Sequence, residues 1–376
     1  MPIQRLAYKI AEACKMTGLS EPTVRKGILE LGIQPARVAT DKTTRALLSI
    51  DDVLKIARLK GKKRVNLRRP LVISVYAPKG GIGKSTMSRE LAGEFSLQGY
   101  DVMAIDLDDQ ASLSLMFGYE PDEDMPEVDA GSEWLVNGTF LNLVFSAEPF
   151  NRLAKLEEVV KQPFGECGPW LIPADITLGE LSYKLWNATA REQVIRNWIN
   201  KGAKRRDDLP FDIVLIDNAP ATSIVSRTAM VAADILLVPV KMDKLTLKSI
   251  TFLAHQLTDL HENQLPAPSV VAVPNSFKSH SSRAGRVLAR LQRDFGAEVP
   301  IAPYVRATDK INDALGDPRL SEEPAGEDVL PIVFQHRNRN YERLQEEIRA
   351  VASFILDVAA RLPQRQTGQP TNKAAA

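Results

Sequence analysis

Hydrophobic and polar positions fall into two regimes along the chain. In residues 3–35 apolar residues recur at helical spacing. Tyr8, Ile10, Ala11 and Cys14 open one pattern, which stops at Gly18. Val24, Ile28 and Leu31 carry a second, with Ser20 as its N-cap and Pro22 in its first turn. Residues 43–58 predict a short strand or wing, then a helix capped near Ser49. From Leu71 onward the regime changes. Short apolar runs at 71–76, 101–107, 141–145, 170–173, 211–217, 235–240, 269–274 and 299–303 alternate with helical patterns. This alternation predicts a doubly wound α/β domain with a mainly parallel sheet. Helices are expected from Ser85 to Leu97, from Leu178 to Trp198 and near Leu245. The last runs from Asn340 to Leu362, with Leu344, Ile348, Val351, Ile355 and Val358 on one stripe. The expected organisation is a helix-turn-helix unit over 1–60, a basic linker over 61–70 and an α/β domain over 71–338. A C-terminal helix over 339–362 and a tail over 363–376, disordered by composition, complete it.

Composition adds limits. The 376 residues suffice for two or three domains, and 44% hydrophobic with 25% charged is ordinary globular usage. No run approaches 18 apolar residues and the N-terminus has no apolar signal region, so neither a membrane span nor secretion is expected. Cys14 and Cys167 lie far apart, without metal spacing, and read as reduced thiols of a cytosolic protein. Charge changes the picture more. Residues 1–69 hold sixteen Lys/Arg and six Asp/Glu, a net +10, so the remainder carries −9 of the overall +1. A basic module on an acidic body is suited to a polyanion. The linker Gly61-Lys-Lys-Arg-Val-Asn-Leu-Arg-Arg69 could touch phosphates or serve only as a solvated tether. Residues 119–133 are acidic and read as a solvated, mobile loop, with a partner-docking site as the alternative.

Three stretches carry candidate chemistry. Between the strand ending at Val75 and the helix from Ser85 lies Tyr76-Ala-Pro-Lys-Gly-Gly-Ile-Gly-Lys-Ser-Thr86. Strand, glycine loop, Gly-Lys-Ser and helix form the context of a phosphate-binding loop. Its glycines let successive N–H groups face phosphate oxygens, beside a helix N-terminus. Lys84 would reach the outer phosphates and Ser85 would hold Mg²⁺. Pro78 stands where the general formula wants glycine, and Lys79 is extra. Lys79 leaves the strand too early to reach its own loop's phosphates easily, but could reach a nucleotide held by a facing subunit. The second stretch is Ala104-Ile-Asp-Leu-Asp-Asp-Gln-Ala-Ser112. Asp108 could orient or deprotonate a water, whereas Asp106 suits Mg²⁺ through water, or holding the loop. The third is Phe211-Asp-Ile-Val-Leu-Ile-Asp-Asn-Ala-Pro220, a Walker B arrangement whose Asp217 would coordinate Mg²⁺ through water.

Two regions could meet DNA. The second N-terminal helix of a helix-turn-helix enters the major groove, and Glu21, Thr23, Arg25 and Lys26 lie near its start. Arg283, Arg286, Arg290 and Arg293 follow at steps of 3, 4 and 3, which puts four guanidiniums on one helical face, preceded by Lys278 and His280. That stripe fits sequence-independent phosphate binding. For both regions a solvated charged face is the alternative.

Lys79-Gly-Gly-Ile-Gly-Lys-Ser85 resembles the deviant Walker A loop of the ParA/MinD family of dimerising ATPases. The resemblance covers roughly residues 6–362. It extends to Asp106-Leu-Asp108, with Asp109 where the family usually has proline, and to Asp217, followed here by Asn218-Ala219-Pro220. Trp170-Leu-Ile-Pro-Ala174 resembles the family's fourth or fifth strand, and residues 6–60 resemble a winged helix-turn-helix that precedes the larger plasmid ParA proteins. The resemblance implies an ATP- and Mg²⁺-dependent homodimer bridged by Lys79, with Lys79, Gly80, Gly81, Ile82, Gly83, Lys84, Ser85 and Thr86 around the phosphates. It implies that Asn275 contacts adenine and that Arg306 is a further DNA residue. It also implies weak ATP hydrolysis stimulated by a ParB-like partner, nucleoid attachment and autoregulation through the N-terminal unit. Two alternatives stand beside a partition ATPase. One is a MinD-like membrane-cycling ATPase; the other is a repressor that only senses nucleotide.

Overall fold

The computed structural model describes residues 7–40, 43–61, 63, 65–67, 70–119, 135–204, 210–219, 223–241, 246–275, 282–295, 299–306, 330–335 and 339–362. Most of the acidic loop, Pro220, Lys278, His280, the Arg283 side chain and the tail from 363 lie outside the described residues.

The first unit runs β1 (Ala7–Lys9), α1 (Ile10–Thr17), α2 (Glu21–Glu30), β2 (Ala36–Thr40), β3 (Thr43–Ser49) and α3 (Ile50–Lys60). Its three strands form an antiparallel sheet in the order β1-β3-β2. Gly18, at φ 68°, ends α1 in the left-handed conformation that glycine adopts without strain. Ser49 caps α3 as expected: its Oγ accepts from Asp52 N at 3.1 Å, and Asp52 Oδ2 accepts from Ser49 N at 2.9 Å.

The second unit continues with β4 (Leu71–Val75), α4 (Lys84–Leu97), β5 (Val102–Leu107), α5 (Ser112–Met116), α6 (Phe140–Val144), α7 (Leu156–Val159) and β6 (Trp170–Ile172). After it come α8 (Gly179–Trp186), α9 (Val194–Lys204), β7 (Ile213–Asn218), α10 (Ile224–Ala232), β8 (Ile235–Lys241), α11 (Thr246–Glu262), β9 (Ser269–Asn275), α12 (Ser282–Phe295) and α13 (Arg339–Arg361). Six strands form a parallel sheet in the order β6-β5-β7-β4-β8-β9. Strand alternation divides the apolar side chains between its faces. Leu71, Ile73 and Val75 join one core with α4 and α13, while Val72 faces the other with Leu181, Leu185 and Ile195. Both faces are covered, which is why the runs are apolar throughout.

Three expected elements are corrected. Residues 141–145 are not a strand. Thr139 caps a short helix, its Oγ1 accepting from Leu141 N, and Asn142 returns a bond to Thr139 N at 2.9 Å. A short apolar run does not distinguish strand from buried helix, and here the capping residues decide. Trp170–Ile172 is therefore the third strand of this sheet and lies at its edge. Residues 299–303 make one bridge, Ile301 to Ala272, because Pro300 and Pro303 have no N–H to extend a ladder. The expected helix from Leu178 to Trp198 is split. Asn187 ends α8, and Ala190, at φ 50°, turns the chain before α9.

The segment 61–70 is not a free tether along its described residues. Tyr100 Oη accepts from Val65 N at 2.8 Å and lies 2.9 Å from Val65 O, while Lys63 meets Asp212 at 2.6 Å. The first unit docks on the second through one continuous apolar core that includes Tyr8, Val24, Ile56, Phe95 and Phe334. Tyr8 Oη donates to Phe334 O at 2.7 Å, and Arg58 meets Asp101 at 3.0 Å. Arg349 of α13 joins three elements: its Nε donates to Glu94 Oε1 of α4 at 3.0 Å, and its Nη2 to Met16 O of α1 at 2.7 Å. Burial pushes the Glu94 carboxyl up, and Arg349 is the strongest influence holding it down.

Replacing Arg349 by Met leaves the buried Glu94 carboxylate with Gln98 as its remaining side-chain donor among the described residues. The expected loss is about 1–3 kcal/mol, read as a lower denaturant midpoint at unchanged slope. An unchanged midpoint would contradict the bridging role.

Candidate functional site

The C-terminal ends of adjacent strands β5, β7 and β4 bring the candidate residues together. Val75 pairs with Asp217 on one side and Leu237 on the other, and Asp217 pairs with Asp106. The loop from β4 enters α4 at Lys84, with Gly81 at φ 66° and Gly83 at φ 86°. The positive φ at Gly83 favours glycine, and a Cβ there would lie 2.5 Å from Asn275 Nδ2 and have to displace that amide. Ile82 is buried, whereas Lys79, Gly80 and Gly81 form the exposed tip. Lys84 is buried. Desolvation pushes its ammonium below the usual lysine range, while the charges of Asp217 and Asp108 hold it up. It thus lies in the field of two carboxylates.

Asp217 is fully buried. Its Oδ1 accepts from Ser88 Oγ at 2.8 Å, and its Oδ2 makes no hydrogen bond among the described residues. Burial raises its carboxyl above the usual range, opposed by the Ser85 and Ser88 hydroxyls and by Lys84. Thr86 Oγ1 is likewise buried without a partner among the described residues. Two orphaned oxygens beside a buried lysine and the half-buried Ser85 fit a hard cation with phosphate oxygens. No group of three His, Cys, Asp or Glu among the described residues forms a metal cluster of its own.

Asp106 is also fully buried and raised, by burial first and the neighbouring Asp217 charge second. Its Oδ2 accepts from Ser114 N at 2.9 Å and Ser114 Oγ at 2.8 Å, and its Oδ1 accepts from Asp108 N at 3.1 Å. These bonds tie Asp106 to the loop that carries Asp108 and to Ser114. Asp108 is buried, with burial raising its carboxyl, and its Oδ1 accepts from Gln110 N at 3.1 Å. Asp109, in the usual proline position, points outward, and Ala111 N closes a turn onto Asp108 O at 2.8 Å.

Four residues with roles here were missed from sequence. Ser88 holds Asp217, and Ser114 holds Asp106 while its Oγ accepts from Ala174 N at 2.9 Å. Asn218 Nδ2 donates to Ser74 Oγ at 2.8 Å and Val75 O at 3.0 Å, tying β7 to the strand that launches the loop. Lys241, at the end of β8, donates to Gly81 O. Position at a strand's C-terminal end was a usable signal for Asn218 and Lys241; nothing in the local pattern marks Ser88 or Ser114. Asn275 turns its amide onto the loop, donating to Ile82 O at 2.7 Å.

The candidate DNA residues lie on other elements. On α2, Thr23 is half-buried, Arg25 pairs with Glu21 at 2.7 Å and Lys26 with Glu30 at 3.7 Å. On α12, Arg286, Arg290 and Arg293 are exposed. Arg306 is bound to Glu347 of α13 at 2.6 Å.

Gly83→Ala should cost at least about tenfold in nucleotide affinity, about 1.4 kcal/mol, when titrated by calorimetry. Unchanged affinity would remove the loop from the site.

A family model described as AAA domain matches residues 71–267. The chain is 27% identical over 383 residues to "Putative replication protein A" of Rhizobium rhizogenes, covering 96% of this chain and 87% of that one. It is 24% identical over 331 residues to "Probable plasmid-partitioning protein ParA" of Thermus thermophilus, covering 84% and 89%. Among solved structures, a singly substituted Cyanothece McdA in complex with ATP superposes with TM-score 0.60 at 19% identity, over 76% of this chain and 96% of that one, a likeness of fold. The family match spans more than half of the chain, which therefore belongs to the AAA domain family, and its relatives place it among the ParA-type P-loop ATPases.

Proposed function

We propose that this protein is an ATP-dependent DNA partition protein whose nucleotide state controls attachment to DNA. The observation that carries the reading is the conjunction at the loop. Lys84 is buried, Thr86 Oγ1 and Asp217 Oδ2 are buried without hydrogen bonds among the described residues, and a second lysine, Lys79, stands on the exposed tip. ATP with Mg²⁺ would supply the phosphoanhydride bond and a cation to neutralise its phosphates. Lys84 and the loop amides hold the phosphates, Ser85, Thr86 and Asp217 offer oxygens to the cation, and Asp108 orients a water. Lys79 reaches the nucleotide of a second copy.

In this reading the ATP-bound dimer binds nucleoid DNA without sequence preference through Arg283, Arg286 and Arg290. The N-terminal unit, as a winged helix-turn-helix, binds an operator through Thr23, Arg25 and Lys26. A ParB-like partner stimulates a slow hydrolysis that releases the dimer. Arg306 contributes less than the resemblance implies, because Glu347 engages it. Packing argues against the membrane-cycling alternative. Leu344, Ile348, Val351 and Ile355 of α13 are spent on the core. A repressor that merely senses nucleotide is distinguished by an ATPase rate that stays at background with DNA and partner present.

Lys84→Ala should abolish ATP binding, whereas Lys79→Ala should retain it and lose the ATP-dependent doubling of mass in light scattering. A Lys79→Ala dimer like that of the wild type would contradict the cross-subunit role. Replacing Arg286 and Arg290 by Gln should reduce the salt slope of binding to random DNA by about 2. An unchanged slope would make the stripe a solvated face.

A further inference from the structure

The end of the sheet beside the phosphate loop holds Lys241, which the nucleotide reading does not use, and Asn275, to which the resemblance gives only a contact with adenine. β8 and β9 remain paired to their last residues, so Lys241 and Asn275 are cross-strand partners in register. Both side chains turn onto the loop. Lys241 Nζ donates to Gly81 O, and Asn275 Nδ2 donates to Ile82 O at 2.7 Å. The two acceptors are consecutive carbonyls of the glycine arc.

We infer that Lys241 and Asn275 form a clamp that presets the phosphate loop before nucleotide arrives, with Lys241 as a positioning residue for phosphate binding. The reason lies in the peptide plane. In a trans peptide the C=O of one residue and the N–H of the next point in opposite directions. Fixing Gly81 O toward Lys241 therefore turns the Ile82 N–H away from the clamp. Fixing Ile82 O toward Asn275 does the same for the Gly83 N–H. Two adjacent amides are held facing away from the sheet end, an arrangement that makes an anion-binding concavity. Gly81 and Gly83, both at positive φ, allow the chain to follow this path. The close fit of Asn275 against Gly83 keeps that segment in place. A loop already ordered loses less conformational freedom on binding.

The inference rests on the nucleotide reading, so the experiment separates the two. Calorimetric titrations with Mg-ATP and Mg-ADP compare the full-length wild type, Lys84→Ala, Lys241→Met and Lys241→Arg. The clamp acts on the loop rather than on one phosphate. Lys241→Met should therefore weaken ATP and ADP equally, by about tenfold, the effect of one lost charge-assisted hydrogen bond. Lys241→Arg, which keeps a cationic donor, should restore most of the loss. Hydrogen exchange without nucleotide should show faster exchange at the Ile82 and Gly83 amides in Lys241→Met, with an unchanged melting temperature. Equal affinities for wild type and Lys241→Met would overturn the clamp, as would a loss confined to ATP, which would mean direct contact with the outermost phosphate. Failure of Lys241→Arg to restore binding would also overturn it. Absence of ATP binding by the wild type would instead overturn the nucleotide reading.

Discussion

The structure depends on the burial of one helix. Every residue of α4 except Ser85 is buried, although the helix carries Lys84, Arg89, Glu90 and Glu94. Charged groups removed from water need internal partners. Glu90 accepts from Arg89 at 2.9 Å and from Val333 N at 3.2 Å, and Glu94 takes Arg349. These demands fix the chain's last helix and the 330–335 segment against α4. They also seat the N-terminal unit, because Arg349 continues to Met16 O and Tyr8 reaches Phe334 O. The helix that starts at the phosphate loop therefore shares one apolar core with the N-terminal unit.

At the other end of α4 the balance of charge is different. Asp106 and Asp217 face each other across one strand pair, both fully buried, and each is raised out of the usual carboxylate range. Hydroxyl and amide donors relieve Asp106, whereas Asp217 keeps an oxygen without a hydrogen bond among the described residues. The two aspartates thus differ in hydrogen bonding despite equal burial. One accepts from the amide of Asp108; the other keeps an oxygen without a partner among the described residues, in the field of Lys84.

Much of this was legible in the sequence, for physical reasons. A parallel sheet covered on both faces writes itself as continuous apolar runs, and all six central strands lie within a residue or two of those runs. The glycine loop was legible because few other sequences can place amides around phosphate. What failed was short or depended on distant contacts. Residues 141–145 and 170–173 look alike as apolar runs, and only the cap at Thr139 separates helix from strand. The basic segment 61–70 read as a tether because nothing local reveals that Tyr100, thirty-five positions away from Val65, bonds to it. Lys241 was passed over, and Asn218 was noted only as the residue after Asp217, because a lone polar residue at a strand end has meaning only once the strand order is known. Asn275 was noticed for its place, but its partner, Ile82 O, lies 193 positions away.

The central claim is that nucleotide bound at the loop of α4 governs attachment to DNA. The most direct measurement is interferometric binding of the full-length protein to random-sequence DNA with ATP, with ADP and without nucleotide, at one salt concentration. The account predicts tight binding with ATP and Mg²⁺ alone, and weak binding in the other two conditions. Equal binding in all three conditions would contradict it.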